Sequence, residues 1–317
     1  MSRGKPPRKD RALLVFMKSF HTRCPLPKRS GAEADARKLF KVLSGLGFKV
    51  ALHMDLTAQE VMDLYLEETT EDQGDCFLSV LSSHGEEGVV YGFDGCPVKL
   101  TDIFALFKPR RCPGLAGKTK MFFVQACRGA MLDPGVTLEC DSSTDSQEDS
   151  FSHYLSIPDD TTVMFASSPG YGAFLNPSGS IFLQTLCELL SGEEHQLELS
   201  QLLTRVSHIV AYGFEARGRH CGSKEMPCIV TNMTREVFPF ARKVIKEKEG
   251  ESAETPSSIS DLQPDGSWRS LEMSNVNRLL KLNAVEPSAT RISETKVRTK
   301  LVSLNQICAG NTSLKVI

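Results

Sequence analysis

At 317 residues and 40% hydrophobic content, the chain is long enough for one large or two ordinary domains with a sizeable core. A net charge of -2, with Lys and Arg scattered rather than blocked together, gives no electrostatic case for nucleic acid, and no apolar run approaches a membrane span. Ten cysteines without a secretory leader point to a reducing, cytoplasmic setting, and the lack of any C-x-x-C pair argues against a structural zinc site.

The N-terminal stretch MSRGKPPRKDRALLVFMKSF sets basic residues before an apolar segment, but Lys18 and His21 interrupt it and no small-residue cleavage site follows. It reads as a first strand over 13–17. Three more short apolar runs, 48–52, 76–81 and 121–124, have the length and β-branched or aromatic content of buried strands. Between the first two, Leu39, Phe40, Leu43 and Leu46 recur at helical spacing, with Gly45 and Gly47 as a stop. Thr57 followed by Glu60 predicts a capping box opening a helix that carries Val61, Leu64 and Tyr65. Thr101 is placed to cap a third, shorter helix.

Alternation of strand and helix predicts an α/β fold with a mostly parallel sheet flanked by helices, whose functional loops lie beyond the carboxyl ends of the strands. SSHGEEG, from Ser82, and QACRG, at 125–129, both occupy that position. From 132 to 160 the composition turns to Ser, Asp, Glu, Thr and Pro, as expected of an exposed linker. Beyond it come a strand at 163–166, helices at 181–190 and about 200–217, and a closing strand at 228–231 after Pro227. Residues 241–317 are charged, rich in Ser and Pro and poor in apolar residues, the composition of a disordered tail; only 276–282 suggests a short helix. GLAGKT, at 114–119, has its glycines too close for a phosphate-binding loop and precedes a strand.

A thiol near neutral pH is mostly protonated until an imidazole takes its proton or stabilises its charge. Cys127 and His84, 43 residues apart at the ends of two predicted strands, face one cleft if those strands are neighbours. Gly85 leaves room for a substrate carbonyl, so its amide and that of Cys127 can form an oxyanion hole.

On these motifs the chain resembles the caspases, cysteine proteases that cut after aspartate. QACRG matches their Q-A-C-[RQG]-G signature with an upstream histidine, and SSHGEEG and MPCIVTNMTREVFPF are similar to the family's histidine loop and small-subunit end. The resemblance implies a catalytic domain over 11–240, with a large-subunit region about 11–141, a linker about 132–160 and a small-subunit region about 161–240. It leaves 1–10 as a short N-terminal extension, without room for a recruitment domain, which implies activation by an upstream protease.

By the same resemblance Cys127 is the nucleophile, His84 the proton-transfer partner, Gly85 an oxyanion donor, and Arg29 and Gln125 bind the P1 aspartate. Caspases carry a second P1-binding arginine; here Leu175 stands at the matching position, and no Arg or Lys occurs between Arg128 and Arg205. Asp141, at the end of LECD, with Asp145 and Asp149, are the candidate processing sites. The partners implied are protein substrates and a second copy of the chain, paired through the strand at 228–231. No metal or organic cofactor, nucleic acid or membrane is implied. The setting is apoptosis or a related programme such as differentiation. The alternative is a catalytically weak homologue that acts by binding active relatives.

Overall fold

Strand β1 (Arg11–Phe16) is buried at every position and from Ala12 onward alternates its side chains between two cores, so ALLVF is apolar on both faces, while Arg11 is paired with Glu68. In the computed structural model, which describes residues 9–71, 74–134 and 156–241, β1 runs parallel to β2 (Lys49–Met54) and β3 (Cys76–Ser82). The processing candidates Asp141, Asp145 and Asp149, and the tail from 242 onward with its suggested helix, lie outside the described residues.

Helix α1 (Ala32–Gly45) connects β1 to β2 and buries Ala32, Asp35, Ala36, Leu39 and Leu43. Phe40 is not part of that stripe: it lies one step round the helix and is 42% exposed. Helix α2 (Ala58–Glu68) opens on the expected capping box, in which the Thr57 hydroxyl accepts from the Glu60 amide and the Glu60 carboxylate from the Thr57 amide.

After β3 comes a small antiparallel sheet that the sequence pattern does not announce: β4 (Gly85–Glu86), β5 (Val89–Tyr91) and β6 (Pro97–Lys99). Strands of two and three residues carry too little alternation to stand out. β6 runs directly into α3 (Leu100–Leu106), whose N-cap is Lys99, so Thr101 sits inside the helix and caps nothing. The Leu100 amide, one of the first-turn donors, is taken up by Gly88 O at 3.0 Å.

β7 (Thr119–Gln125) is wholly buried and pairs parallel with both β3 and β8 (Thr161–Phe165). The short pair β9 (Leu175–Asn176) and β10 (Gly179–Ser180) leads into α4 (Ile181–Ser191), capped by Ser180. Helix α5 (Leu199–Gly213) ends four residues before the expected 217, because Phe214 turns extended and places its ring 5.1 Å from that of Phe174. β11 (Cys228–Thr231) closes the sheet antiparallel to β8, giving the order β11-β8-β7-β3-β1-β2. One face is packed by α1, α4 and α5 and the other by α2 and α3, a mixed, mostly parallel sheet flanked by helices.

Candidate active site

β3 and β7 are immediate neighbours, and their register sets Ser82 opposite Gln125. The chain therefore leaves the sheet at the same level on both strands, and the next two residues on each, Ser83–His84 and Ala126–Cys127, reach one cleft. That cleft, of about 310 Å³, is lined by Arg29, His84, Gln125, Cys127, Ala173 and Leu175 among others. The arrangement lies at the carboxyl ends of parallel strands, where α/β sheets place ligands.

Cys127 is a free thiol whose Sγ accepts the Ala173 amide at 3.4 Å and lies 3.7 Å from Ala173 O. The His84 Nε2 is 2.8 Å from Pro27 O. A carbonyl only accepts, so Nε2 carries the proton in the neutral ring and Nδ1 is left as the basic atom. The Phe20 ring, 5.1 Å away by centroids, holds the imidazole plane. Burial pushes the His84 pKa below its ordinary value and the Arg29 cation adds to that, while the Pro27 bond opposes both. No hydrogen bond joins His84 to Cys127; the two side chains line the same cleft.

Gly85 follows His84 as the first residue of β4. A Cβ there would stand 2.5 Å from Val89 O and 3.2 Å from Cys127 O, so only glycine allows the histidine loop to lie this close to the cysteine loop. Gly129 has the same function on the other side, since its Cβ would meet Gly170 O at 2.1 Å.

Arg29 is 5% exposed and held by Met17 O at 2.7 Å and Ser82 Oγ at 3.0 Å. Burial lowers its pKa to about 10, with Asp35 opposing, so it remains a cation at neutral pH. Asp35 behind it accepts from the Ser180 amide and hydroxyl and from Gln184; burial pushes its carboxyl upward against those bonds. Gln125 is buried beside the guanidinium, and its Oε1 has no partner among the described residues. The apolar Leu175, half-buried at the start of β9, lines the same cleft. The cleft thus carries one guanidinium, that of Arg29, with Lys28 and the carboxamides of Gln125 and Asn176 also on its lining.

Two buried charged residues behind the cleft are missed by sequence reasoning. Arg128, the fourth letter of QACRG, does not reach the cleft: it donates to Ser167 O at 3.1 Å and Glu87 at 3.0 Å and lies over the Phe165 ring. Its only sequence signal is a charge directly after a buried strand. Glu225, in KEMPC, carries no sequence signal of burial, yet is 1% exposed. Among the described residues no group of three or more His, Cys, Asp or Glu side chains is placed to hold a metal, and no helix is long and apolar enough to cross a membrane.

The structure is thus an α/β protein in which a free thiol and an imidazole line one cleft at the strand ends. The caspase domain description (Peptidase_C14) matches residues 9–239, and the chain belongs to the caspase family of cysteine-type endopeptidases. It is 36% identical to caspase-7 of Gallus gallus over 236 residues, 72% of this chain and 76% of that protein. It is likewise 36% identical to caspase-3 of Mesocricetus auratus over 232 residues, 71% of this chain and 82% of that one. The crystal structure of caspase-1 from Spodoptera frugiperda superposes with a TM-score of 0.64 at 32% identity, covering 77% of this chain and 98% of that one.

Proposed function

We propose that the chain is an active endopeptidase that hydrolyses peptide bonds after aspartate through Cys127 and His84, in apoptosis or a related programme such as differentiation. The observation that carries this is the meeting of Cys127 and His84, from adjacent strand ends, in one cleft with the buried cation Arg29. His84 takes the Cys127 thiol proton at Nδ1, the thiolate so formed attacks the scissile carbonyl carbon, and the oxyanion is held by the Gly85 and Cys127 amides. His84 delivers a proton to the departing amine, leaving a thioester on Sγ. Water, relieved of a proton by His84, hydrolyses the thioester and restores the thiol. Arg29 and the Gln125 carboxamide receive the P1 carboxylate.

In this reading the catalytic domain spans 11–240, and cuts at Asp141, Asp145 or Asp149 by an upstream protease separate its two parts. The chain pairs with a second copy through β11, whose outer edge lies at the end of the sheet with Ile229 exposed. The setting is cytoplasmic, and protein substrates are the partners.

The test is turnover of a peptide library varied at P1, with Cys127→Ala as control. Aspartyl cleavage lost in that variant is the expected result. Leu175 favours one other reading, a weak homologue that acts by binding active relatives; absence of turnover in a folded, dimeric protein would shift the weight to it.

A further inference from the structure

Glu225 stands between α5 and β11 with its carboxyl group buried. Oε2 accepts the Phe174 amide at 2.7 Å, while Oε1 has no partner among the described residues. The Phe174 ring packs on Phe214 at 5.1 Å and His220 at 6.3 Å, so the bond is shielded from water. On one side of Phe174, Ala173 donates to the Cys127 thiol; on the other, Leu175 lines the cleft and pairs with Ser180. We propose that Glu225 is a positioning residue for the reaction: it holds the Phe174 amide and thereby sets the wall 173–175 against both the nucleophile and the P1 pocket. This rests on the peptidase reading given above.

Neighbouring charges do not compensate it. Lys224 turns to Phe214 O and the Glu215 carboxylate, its own amide is accepted by Asp133 O, and His220 meets the Phe174 ring edge-on. Burial pushes the Glu225 carboxyl up to about 8 from 4.5, against the pull of the Phe174 amide, so the group is protonated at neutral pH. The folded chain holds this proton where the unfolded chain has released it. The resulting stability is complete below pH 4.5 and is lost as pH rises through about 8. Ionisation then leaves a buried, unpaired charge against the cleft wall.

Glu225→Gln keeps the acceptor and cannot ionise, whereas Glu225→Ala leaves the Phe174 amide without one. The experiment follows kcat/KM, thermal unfolding and the alkylation of Cys127 by iodoacetamide, read at the Cys127 peptide, from about pH 6 to pH 9.5 for all three proteins. The expected result is a decline in wild-type activity around pH 8 and a wild-type stability that falls from about pH 6 to about 8 and levels off above it, both absent from Glu225→Gln. Glu225→Ala should lose about tenfold in kcat/KM at neutral pH, and Glu225→Gln should restore most of it. A Gln variant that keeps the wild-type decline, or an Ala variant with wild-type rates, overturns the proposal. Should Glu225→Ala not fold, the Gln profile alone decides. Should no protein turn over peptide, the peptidase reading fails, and alkylation and melting curves identical across the three would overturn the role of Glu225 separately.

Discussion

The Pro27 carbonyl lies 2.8 Å from Nε2 of His84, joining the loop that carries Arg29 to the loop that carries the histidine. Burial and Arg29 together hold the imidazole pKa below 6.5 despite that bond. Activity that needs a neutral His84 should therefore persist below pH 6.5, with an acid limb under the usual histidine range in kcat/KM. The stability sign runs the same way: neutrality is favoured on folding, so stability is held above pH 6.5 and declines as pH falls through the lower folded value. An NMR titration of the His84 ring beside the rate profile checks both.

Arg29 is a structural cation as well as the proposed P1 ligand, because Met17 O and Ser82 Oγ accept from it. Arg29→Ala should lower kcat/KM for an aspartyl peptide by about tenfold to a hundredfold, the worth of one charge-assisted bond. It should also cost about 1 to 3 kcal/mol of stability, since the buried Met17 carbonyl loses its partner. Thermal unfolding and P1 profiling of one preparation separate the two effects.

Leu175 faces the cleft that holds Arg29 and Gln125. Leu175→Arg would restore a second guanidinium, and we expect a gain of about tenfold to a hundredfold in cleavage after aspartate. Selectivity for aspartate over asparagine should rise with it. A folded variant with no gain would show that one guanidinium suffices in this pocket.

Gly85 admits no side chain without displacing backbone, since the nearest atoms to an added Cβ are Val89 O, Ala126 Cβ and Cys127 O, at 2.5, 3.0 and 3.2 Å. Gly85→Ala should cost about 1 to 3 kcal/mol in stability through overpacking. It should also depress kcat more than KM, because the oxyanion donor and the histidine loop shift together while Arg29 stays in place. Steady-state kinetics with a single aspartyl peptide tests the split.

Asp141, Asp145 and Asp149 supply the proposed maturation cuts. Replacing all three with alanine should leave the chain in one piece when an active caspase is added, as read by intact mass. Fragments unchanged from wild type would move the cut elsewhere.

Strands were legible where burial on both faces forces a continuous apolar run, as in β3 and β7, whose observed spans extend the predicted ones by one to three residues. Boundaries set by tertiary contacts were not. Phe214 leaves α5 to meet Phe174, a contact invisible in a local window. Phe40 shares the helical spacing of Leu39 and Leu43 but falls outside the packed arc. At the site, Cys127 and His84 stood out because their strands had to be neighbours for their chemistry to join. Glu225 did not, because its charge in KEMPC hides a burial that only the packed loop around Phe174 creates.

β7 precedes the segment 135–155 and β8 follows it, yet the two pair along five residues from Lys120–Thr161 to Val124–Phe165 in the interior of the sheet. Cutting the chain in that segment would leave both pieces locked by a shared ladder and a shared core, so they should co-purify under native conditions. Refolding is where the cut would matter. An intact chain closes that ladder within itself, at a rate independent of protein concentration, whereas two fragments must find each other. Recovery after denaturation would then become second order and fail on dilution, making the clipped form a species that, once unfolded, has no easy way back.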